Sequence, residues 1–492
     1  MTAATTPDAD RHRRPWLGAL RIYSAELLLV PTGLVTAGYL TRQLGASDYG
    51  VFTLAVSTVG WLQWTASALL ARATNQLVAA ATDWRPMAAE IIRAHALLGM
   101  VCAAVVALTA PKLAQWLNQP SMVPALRWLA LELLFVVTAS GYRGLLVSMG
   151  EYRWLSFVSA ARWVSRMIGV VGFVWLGWST LGAIAGTLMS SVVVLVGSVW
   201  RVGRVPRAGV TERRLLRDNL LGVVAPTALA AIGLRLFERA DLLLLAALGL
   251  PAATLGHYGA AQNLTVVVSL LAATISPILL SAITRCRRDG NADAAAQLQR
   301  DALRMPWLVL PFVGLSAGAS SDIVKVVYGG AFLEAAAPFS WLMMGSAPLL
   351  VVAIASALLV AADRPWWLVR ITVPMVFVLL LGGYWLVPAV GANGAAIASL
   401  GASCIAAAVS QWCVWRAVRT HVPARSVLVA LGLTASSWLL AQAWPTDGTG
   451  ARLLKLAGLA LGVLLVLVVS GELRFDTGIA SRGVVRRSSR DV

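Results

Sequence analysis

Charge is scarce in this 492-residue chain: only 13% of residues are charged, against 59% hydrophobic. Soluble proteins carry roughly 25% charged and under 50% apolar residues, so water is excluded as the main solvent. Lysine is nearly absent, with only Lys112, Lys325 and Lys455. The four cysteines, Cys102, Cys286, Cys404 and Cys413, have no C-x-x-C spacing and imply neither a disulfide framework nor a metal site. The four histidines, His12, His95, His257 and His421, are scattered, which offers neither a zinc site nor a proton relay. No G-x-x-x-x-G-K-[ST] occurs, so direct ATP hydrolysis by this chain is not expected, and no cofactor is. Strand-period alternation over short segments is also missing, which argues against an outer-membrane barrel.

What remains is a succession of apolar runs. A spanning helix needs about 20 mostly apolar residues, because the hydrocarbon core is about 30 Å thick. The expected spans are 17–40, 50–80, 88–110, 123–148, 155–177, 179–200, 218–248, 254–283, 302–327, 336–361, 366–388, 391–415, 425–444 and 452–470. The expected fold class is all-α, a polytopic membrane protein of about fourteen helices, with twelve as the lower bound. The three lysines fall near the outer ends of these spans, as interface anchors.

Arginines alternate with the spans. They gather at Arg11, Arg13 and Arg14, at 201–217, at Arg285, Arg287 and Arg288, at 416–425 and at 474–490, which are the loops expected inside. That bias follows the positive-inside rule and puts both termini on the cytoplasmic side. The formal charge of +18 therefore reports topology and contact with anionic headgroups. A nucleic-acid partner is not expected, since such binders gather charge and aromatics on a folded face. The segment 1–16 reads as a retained cytoplasmic tail, 17–200 as an N-lobe of six helices, 201–217 as a basic inter-lobe loop, 218–470 as a C-lobe of eight helices and 471–492 as a basic tail. Leu44-Gly45 with Tyr49-Gly50, echoed by Leu248-Gly249 with Tyr258-Gly259, hints at two repeats around a central site.

Charged side chains inside spans cost at least ~2.5 kcal/mol at the bilayer centre, so they face a watery cavity or a partner. The first span holds Arg21 and Glu26, and the second holds Arg72 with Asn75 on nearly the same face. Arg143 ends the fourth; Arg162 and Arg166 in the fifth are four apart and share a face. The seventh carries Arg235, Glu238, Arg239 and Asp241. Arginine outnumbers acid in these spans, and forked guanidiniums suit an anionic group such as phosphate or pyrophosphate. The competing reading makes Arg235 to Asp241 a local ion-pair ladder and lets Arg162 and Arg166 snorkel to the surface. Gly314-Leu315-Ser316-Ala317-Gly318 matches G-x-S-x-G, but a nucleophile elbow needs a strand before the turn and this run is an apolar helix.

Arg42-Gln43-Leu44-Gly45 followed by Tyr49-Gly50-Val51-Phe52 is similar to the R-x-L-G-x-x-x-Y-G-x-F signature of the polysaccharide flippases of the multidrug/oligosaccharidyl-lipid/polysaccharide (MOP) superfamily. Arg239-Ala240-Asp241 with Gly256-His257-Tyr258-Gly259-Ala260-Ala261 resembles R-x-D … G-x-Y-x-A-A, and Tyr328-Gly329-Gly330-Ala331-Phe332 resembles Y-G-x-x-F. The run from Leu358 to Arg364 resembles the exit of the tenth helix. The resemblance implies a V-shaped pair of helical lobes that moves a polyprenyl-pyrophosphate-linked oligosaccharide across the bacterial plasma membrane by alternating access, as in O-antigen-type pathways. It implies no enzyme activity. It gives the lipid-linked oligosaccharide, the bilayer, and the polymerase and glycosyltransferases of the same pathway as partners. By position it makes Arg21, Arg42, Arg72, Arg235, Arg239 and Arg370 the candidate pyrophosphate contacts. Glu26 and Asp241 become the candidate ion-pair or ion-coupling carboxylates. Two other readings stay open: a drug/cation antiporter of the same superfamily, expected to keep acids in its cavity, and a polytopic glycosyltransferase or polymer ligase. A non-transporting scaffold is a third.

Overall fold

A bilayer offers the backbone no water, so each polar main-chain group must be satisfied within its own segment. In the computed structural model every described α or 3-10 element accordingly bonds to itself, and no strand occurs among the described residues. These residues are 21–80, 84–203, 225–362, 364, 366–420 and 422–472. The two tails and most of the 201–217 loop lie outside them.

By length and composition, nine described helices could cross a membrane, or ten if a pair bent by 73° counts as one span. Fourteen is thus an approximate number, and the reason is local. Two expected spans share the helix α1 (Leu29–Ala80), which holds a non-helical residue at Gly45, φ 70° and ψ 178°. Two more share a continuous stretch, Tyr152–Val202. It divides into α4 (Tyr152–Phe173) and α5 (Ser179–Val202) at Gly177, φ 88°. The span 218–248 appears as α6 (Ala225–Ala247), which holds four charged residues, Arg235, Glu238, Arg239 and Asp241, and is not among the nine.

The chain divides into two units. The first comprises Met1–Leu264, Val327–Ala335 and Leu379–Ala395. It contains α1, α2 (Trp84–Trp116), α3 (Val123–Ser148), α4, α5, α6 and the beginning of α7 (Ala252–Arg288). Small residues let these helices approach closely. A Cβ at Gly186 of α5 would fall on the backbone of Val170 in α4, and one at Gly182 on that of Phe173, so these two glycines, four apart, let the helices pack closely.

In the same unit the motif residues from three distant parts of the chain meet. Tyr49, Tyr258, Tyr328 and Phe332 are each no more than 1% exposed. Phe332 packs edge-on to Tyr49, with centroids 5.8 Å apart, and to His257 at 5.1 Å. The Tyr49 hydroxyl accepts a hydrogen bond from Asn263 Nδ2 at 2.8 Å, and the Tyr328 hydroxyl donates to the Ala260 carbonyl at 3.0 Å. Two glycines make this contact feasible. A Cβ on Gly256 would overlap the Ala46 carbonyl, and one on Gly50 the Ala252 carbonyl. The motif spacing therefore encodes a helix crossing between α1 and α7, sealed by aromatic rings.

The second unit comprises Thr265–Val326, Ala336–Val378 and Ala396–Val492. Its helices are the rest of α7, α8 (Ala292–Gly318), α9 (Ser320–Val327), α10 (Ala336–Ala361), the first half of α11 (Trp367–Val390) and most of α12 (Ala392–Val418), then α13 (Ala424–Ala443) and α14 (Thr449–Val469). Gly314 and Gly318 lie against the backbone of Thr434 and Trp438 in α13, while Ser316 donates to the Phe312 carbonyl at 2.8 Å. The G-x-S-x-G match is a helix-packing face. Lys455 departs from the interface role expected of it. It is 4% exposed and pairs with Asp322 at 2.8 Å, with Arg452 3.5 Å from the same carboxylate.

Just beyond α14, Glu472 is buried and receives hydrogen bonds from Arg304 Nη2 at 2.8 Å and Ser426 Oγ at 2.7 Å. Burial alone would raise its pKa. The bonds from Arg304 and Ser426 and the charges of Arg304 and Arg425 outweigh burial and hold it below the usual carboxylate value. A carboxyl depressed on folding adds stability above its unfolded pKa and loses it as pH falls through the folded one. Glu472→Gln is therefore expected to lower the Tm of the detergent-purified protein at neutral pH, with the gap closing as pH drops through the ordinary carboxylate range. A gap independent of pH would contradict this assignment.

Candidate functional site

Four arginines of the first unit, Arg143, Arg162, Arg166 and Arg239, follow one another along α4 and its neighbours. Ser159, Arg162, Trp163 and Arg166 recur at helical spacing and fall on one side of it. The rise from Ser159 to Arg166 is about 10 Å. At one end of this stripe stands Glu26, in the helical turns that lead into α1. Its Oε1 accepts from Arg143 Nη2 at 3.0 Å and from Ser159 Oγ at 2.9 Å, and its Oε2 from Trp163 Nε1 at 3.0 Å. Arg143 Nη2 also donates to Ser159 Oγ at 3.1 Å, which closes the group.

The cationic stripe continues along α4. Arg162 lies over the Trp163 ring, 4.7 Å from its centroid, and within electrostatic reach of Arg143 and Arg166 and of the carboxylates of Glu26 and Glu132. Arg166 is in turn within reach of Glu132, Tyr49 and Arg239. Glu132 of α3 is held by α5: Thr187 Oγ1 donates to Oε2 at 3.1 Å and Ser191 Oγ to Oε1 at 3.0 Å. Beyond it Arg239 Nη1 donates to Gln262 Oε1 at 3.5 Å, a long contact. Asp241 accepts from the Tyr258 hydroxyl at 2.7 Å, from Gln262 Nε2 at 2.7 Å and from the Leu242 backbone N–H at 2.8 Å. Its partners outside α6 lie on α7. The ladder read from spacing within α6 is thus not how Asp241 is satisfied.

Four arginines therefore line one path with three carboxylates, and those carboxylates are already engaged. Glu132 and Asp241 take their short hydrogen bonds from hydroxyl, amide and backbone donors. Only Arg143 sits at ion-pair distance from a carboxylate; among the described residues Arg162, Arg166 and Arg239 do not. The Arg166 Nε is buried with no hydrogen-bond partner among them. Glu26 and Glu132 lie within electrostatic reach of Arg162, Glu132 of Arg166 and Asp241 of Arg239. A guanidinium in an apolar span with no carboxylate in direct contact is costly, and an incoming anion would relieve that cost.

The other expected residues are placed elsewhere. Arg21 is exposed and lines a shallow recess with Arg153, Ser24 and Ser156. Arg42 is exposed and donates to the Val327 carbonyl at 3.4 Å. Arg370 is exposed in the second unit, over the Trp367 ring at 5.4 Å. The side chains of Arg72 and Arg235 lie outside the described residues. Glu132 carries no sequence signal beyond being an acid in an apolar run, whereas Arg162 and Arg166 are marked by their four-residue spacing.

The family described as "Polysaccharide biosynthesis protein" matches residues 39–337. This chain belongs to it. In the polysaccharide biosynthesis family, then, the matched interval begins at the first motif of the aromatic cluster and ends just past the last. No curated relative matches the sequence. Among solved structures, the chain is similar to one titled "Lipid II flippase MurJ, inward closed conformation", with TM-score 0.78, 14% identity, and coverage of 93% of this chain and 99% of that one. It is also similar to an inward-facing multidrug resistance MATE family transporter of the MOP superfamily (TM-score 0.60, 14% identity, 86% and 98% coverage). A point mutant of the Vibrio cholerae MATE transporter VcmN gives TM-score 0.58, 14% identity, and 83% and 97% coverage. This polysaccharide biosynthesis protein is a multi-pass membrane protein with the fold of the MOP transporters.

Proposed function

We propose that this protein is a flippase that carries a lipid-linked oligosaccharide, joined to its polyprenyl carrier through pyrophosphate, across the bacterial plasma membrane for cell-surface polysaccharide synthesis. The reading places both termini in the cytoplasm and treats 17–200 and 218–470 as lobes that alternate access around the arginine path, joined by the basic segment 201–217. One observation carries it: three guanidiniums on one path, Arg162, Arg166 and Arg239, without a carboxylate at ion-pair distance among the described residues. Pyrophosphate offers the oxygens that forked guanidinium donors match, and each charge-assisted bond contributes ~1.5–3 kcal/mol. Movement by this route makes and breaks no covalent bond in the cargo. The polymerase and glycosyltransferases of the same pathway would supply and consume that cargo.

A cation antiporter is less well supported, because Glu26, Glu132 and Asp241 are already engaged by donors. The test is translocation in proteoliposomes, with a fluorescent polyprenyl-pyrophosphate oligosaccharide loaded in one leaflet and followed into the other. Protein-dependent appearance in the far leaflet is expected. Its absence for several lipid-linked glycans, with folded and correctly oriented protein, would favour the antiporter or the membrane enzyme.

A further inference from the structure

The second unit holds a different gathering of arginines, set among tryptophans. At the start of α11, the guanidinium carbons of Arg364 and Arg370 lie 5.1 and 5.4 Å from the Trp367 ring centroid. At the end of α12, Arg416 lies 5.4 Å from the Trp412 ring and Arg419 lies 5.6 Å from the Trp415 ring. α11 and α12 are consecutive spans joined by the single residue Gly391, which returns the end of α12 to the side where α11 begins, and Arg370 lies within electrostatic reach of Cys413 on α12. All four arginines are exposed, as are Trp412 at 48% and Trp415 at 44%.

Acids are few around this patch. Asp363, which adjoins Arg364 in sequence, lies outside the described residues, and from 364 to 446 the chain has no aspartate or glutamate. Among the described residues no carboxylate lies within ion-pair distance of any of the four arginines. A guanidinium laid on an indole face keeps its N–H edge free in the ring plane, where it can donate to a phosphate oxygen. Tryptophan rings prefer the depth of lipid headgroups, which sets the arginines at the level of the phosphates. An arginine that served topology alone would extend into water.

We propose that this patch binds the headgroup of an anionic phospholipid, a phosphatidylglycerol-type phosphodiester, in the leaflet it faces. The site is separate from the arginine path of the first unit and does not depend on what that path carries. Its occupant would anchor α11 to α12 at one membrane surface.

The test uses full-length protein in nanodiscs of phosphatidylcholine with and without phosphatidylglycerol, read by thermal unfolding and by native mass spectrometry of retained lipid. Phosphatidylglycerol is expected to raise the Tm of the wild type and of the control R285Q/R288Q. The variant R364Q/R370Q/R416Q/R419Q should lose most of that rise and retain about two-fold less phosphatidylglycerol. The pair R416Q/R419Q, which leaves α11 unchanged, carries the test if the fourfold change impairs folding, and should lose part of the rise. A full rise and full lipid retention in both variants would overturn the site. So would a wild type indifferent to phosphatidylglycerol. An equal rise from soluble pyrophosphate in neutral discs, lost in the same variants, would overturn the lipid assignment.

Discussion

Arg166→Gln is expected to slow translocation of a polyprenyl-pyrophosphate oligosaccharide by about ten-fold or more in proteoliposomes, with little loss of stability. A charge-assisted hydrogen bond contributes ~1.5–3 kcal/mol, and 1.4 kcal/mol is a factor of about ten in binding. The second half of the expectation separates function from architecture. The Arg166 Nε has no hydrogen-bond partner among the described residues, so removing it breaks no hydrogen bond there, and Glu132, which loses a charge within electrostatic reach, keeps its bonds from Thr187 and Ser191. Arg143→Gln would behave differently, because it strips Glu26 of its ion pair and Ser159 of a donor. Arg166→Lys keeps the charge but loses the fork, and should recover only part of the rate. A glutamine variant that translocates at the wild-type rate would remove Arg166 from the path. One that loses rate and Tm together would make it a structural residue.

Gly256→Val is expected to produce the largest loss of stability of any single change considered. The added Cβ meets the Ala46 carbonyl and the Gly50 backbone nitrogen, neither of which can swing aside as a flexible side chain would. Overpacking typically costs about 1–3 kcal/mol and occasionally more, and an obstruction by backbone on both sides belongs at the upper end. Separating α1 from α7 would also pull Tyr49 from Asn263 and loosen the rings around Phe332. Thermal unfolding of the detergent-purified protein reads this directly. A Tm like that of the wild type would mean that the α1–α7 crossing is looser than its geometry implies.

Much of this molecule was legible from composition, and the reason is the solvent. Where the medium offers no hydrogen bonds, apolar runs must be helices. The pairing of Arg162 with Arg166 on one face followed from helical period alone. The break at Gly45 falls in the gap between the expected spans 17–40 and 50–80, although one helix runs through both. Long-range partnerships were not legible. Glu26 meets Arg143 across 117 positions, and Tyr49 meets Asn263 across 214. No local pattern encodes either contact. Glu132 was missed because an acid flanked by leucines looks the same whether it is held by hydroxyls or pointed at a substrate. The motif arginine Arg42 shows the converse. Its place in a signature suggested a substrate contact, while its nearest described partner is a backbone carbonyl at the end of α9.

The aromatic cluster also sets an order on how the chain can be made. Its parts leave the ribosome in sequence: Tyr49 early, Tyr258 when about half the polypeptide exists, and Tyr328 and Phe332 only later. The first unit therefore cannot finish closing while it is being synthesised, even though most of its helices have already entered the bilayer. Until the segment 327–335 emerges, Tyr49 and His257 wait without the ring that packs between them. A nascent chain halted before that point would be inserted, helical and unfinished, a natural substrate for membrane quality control.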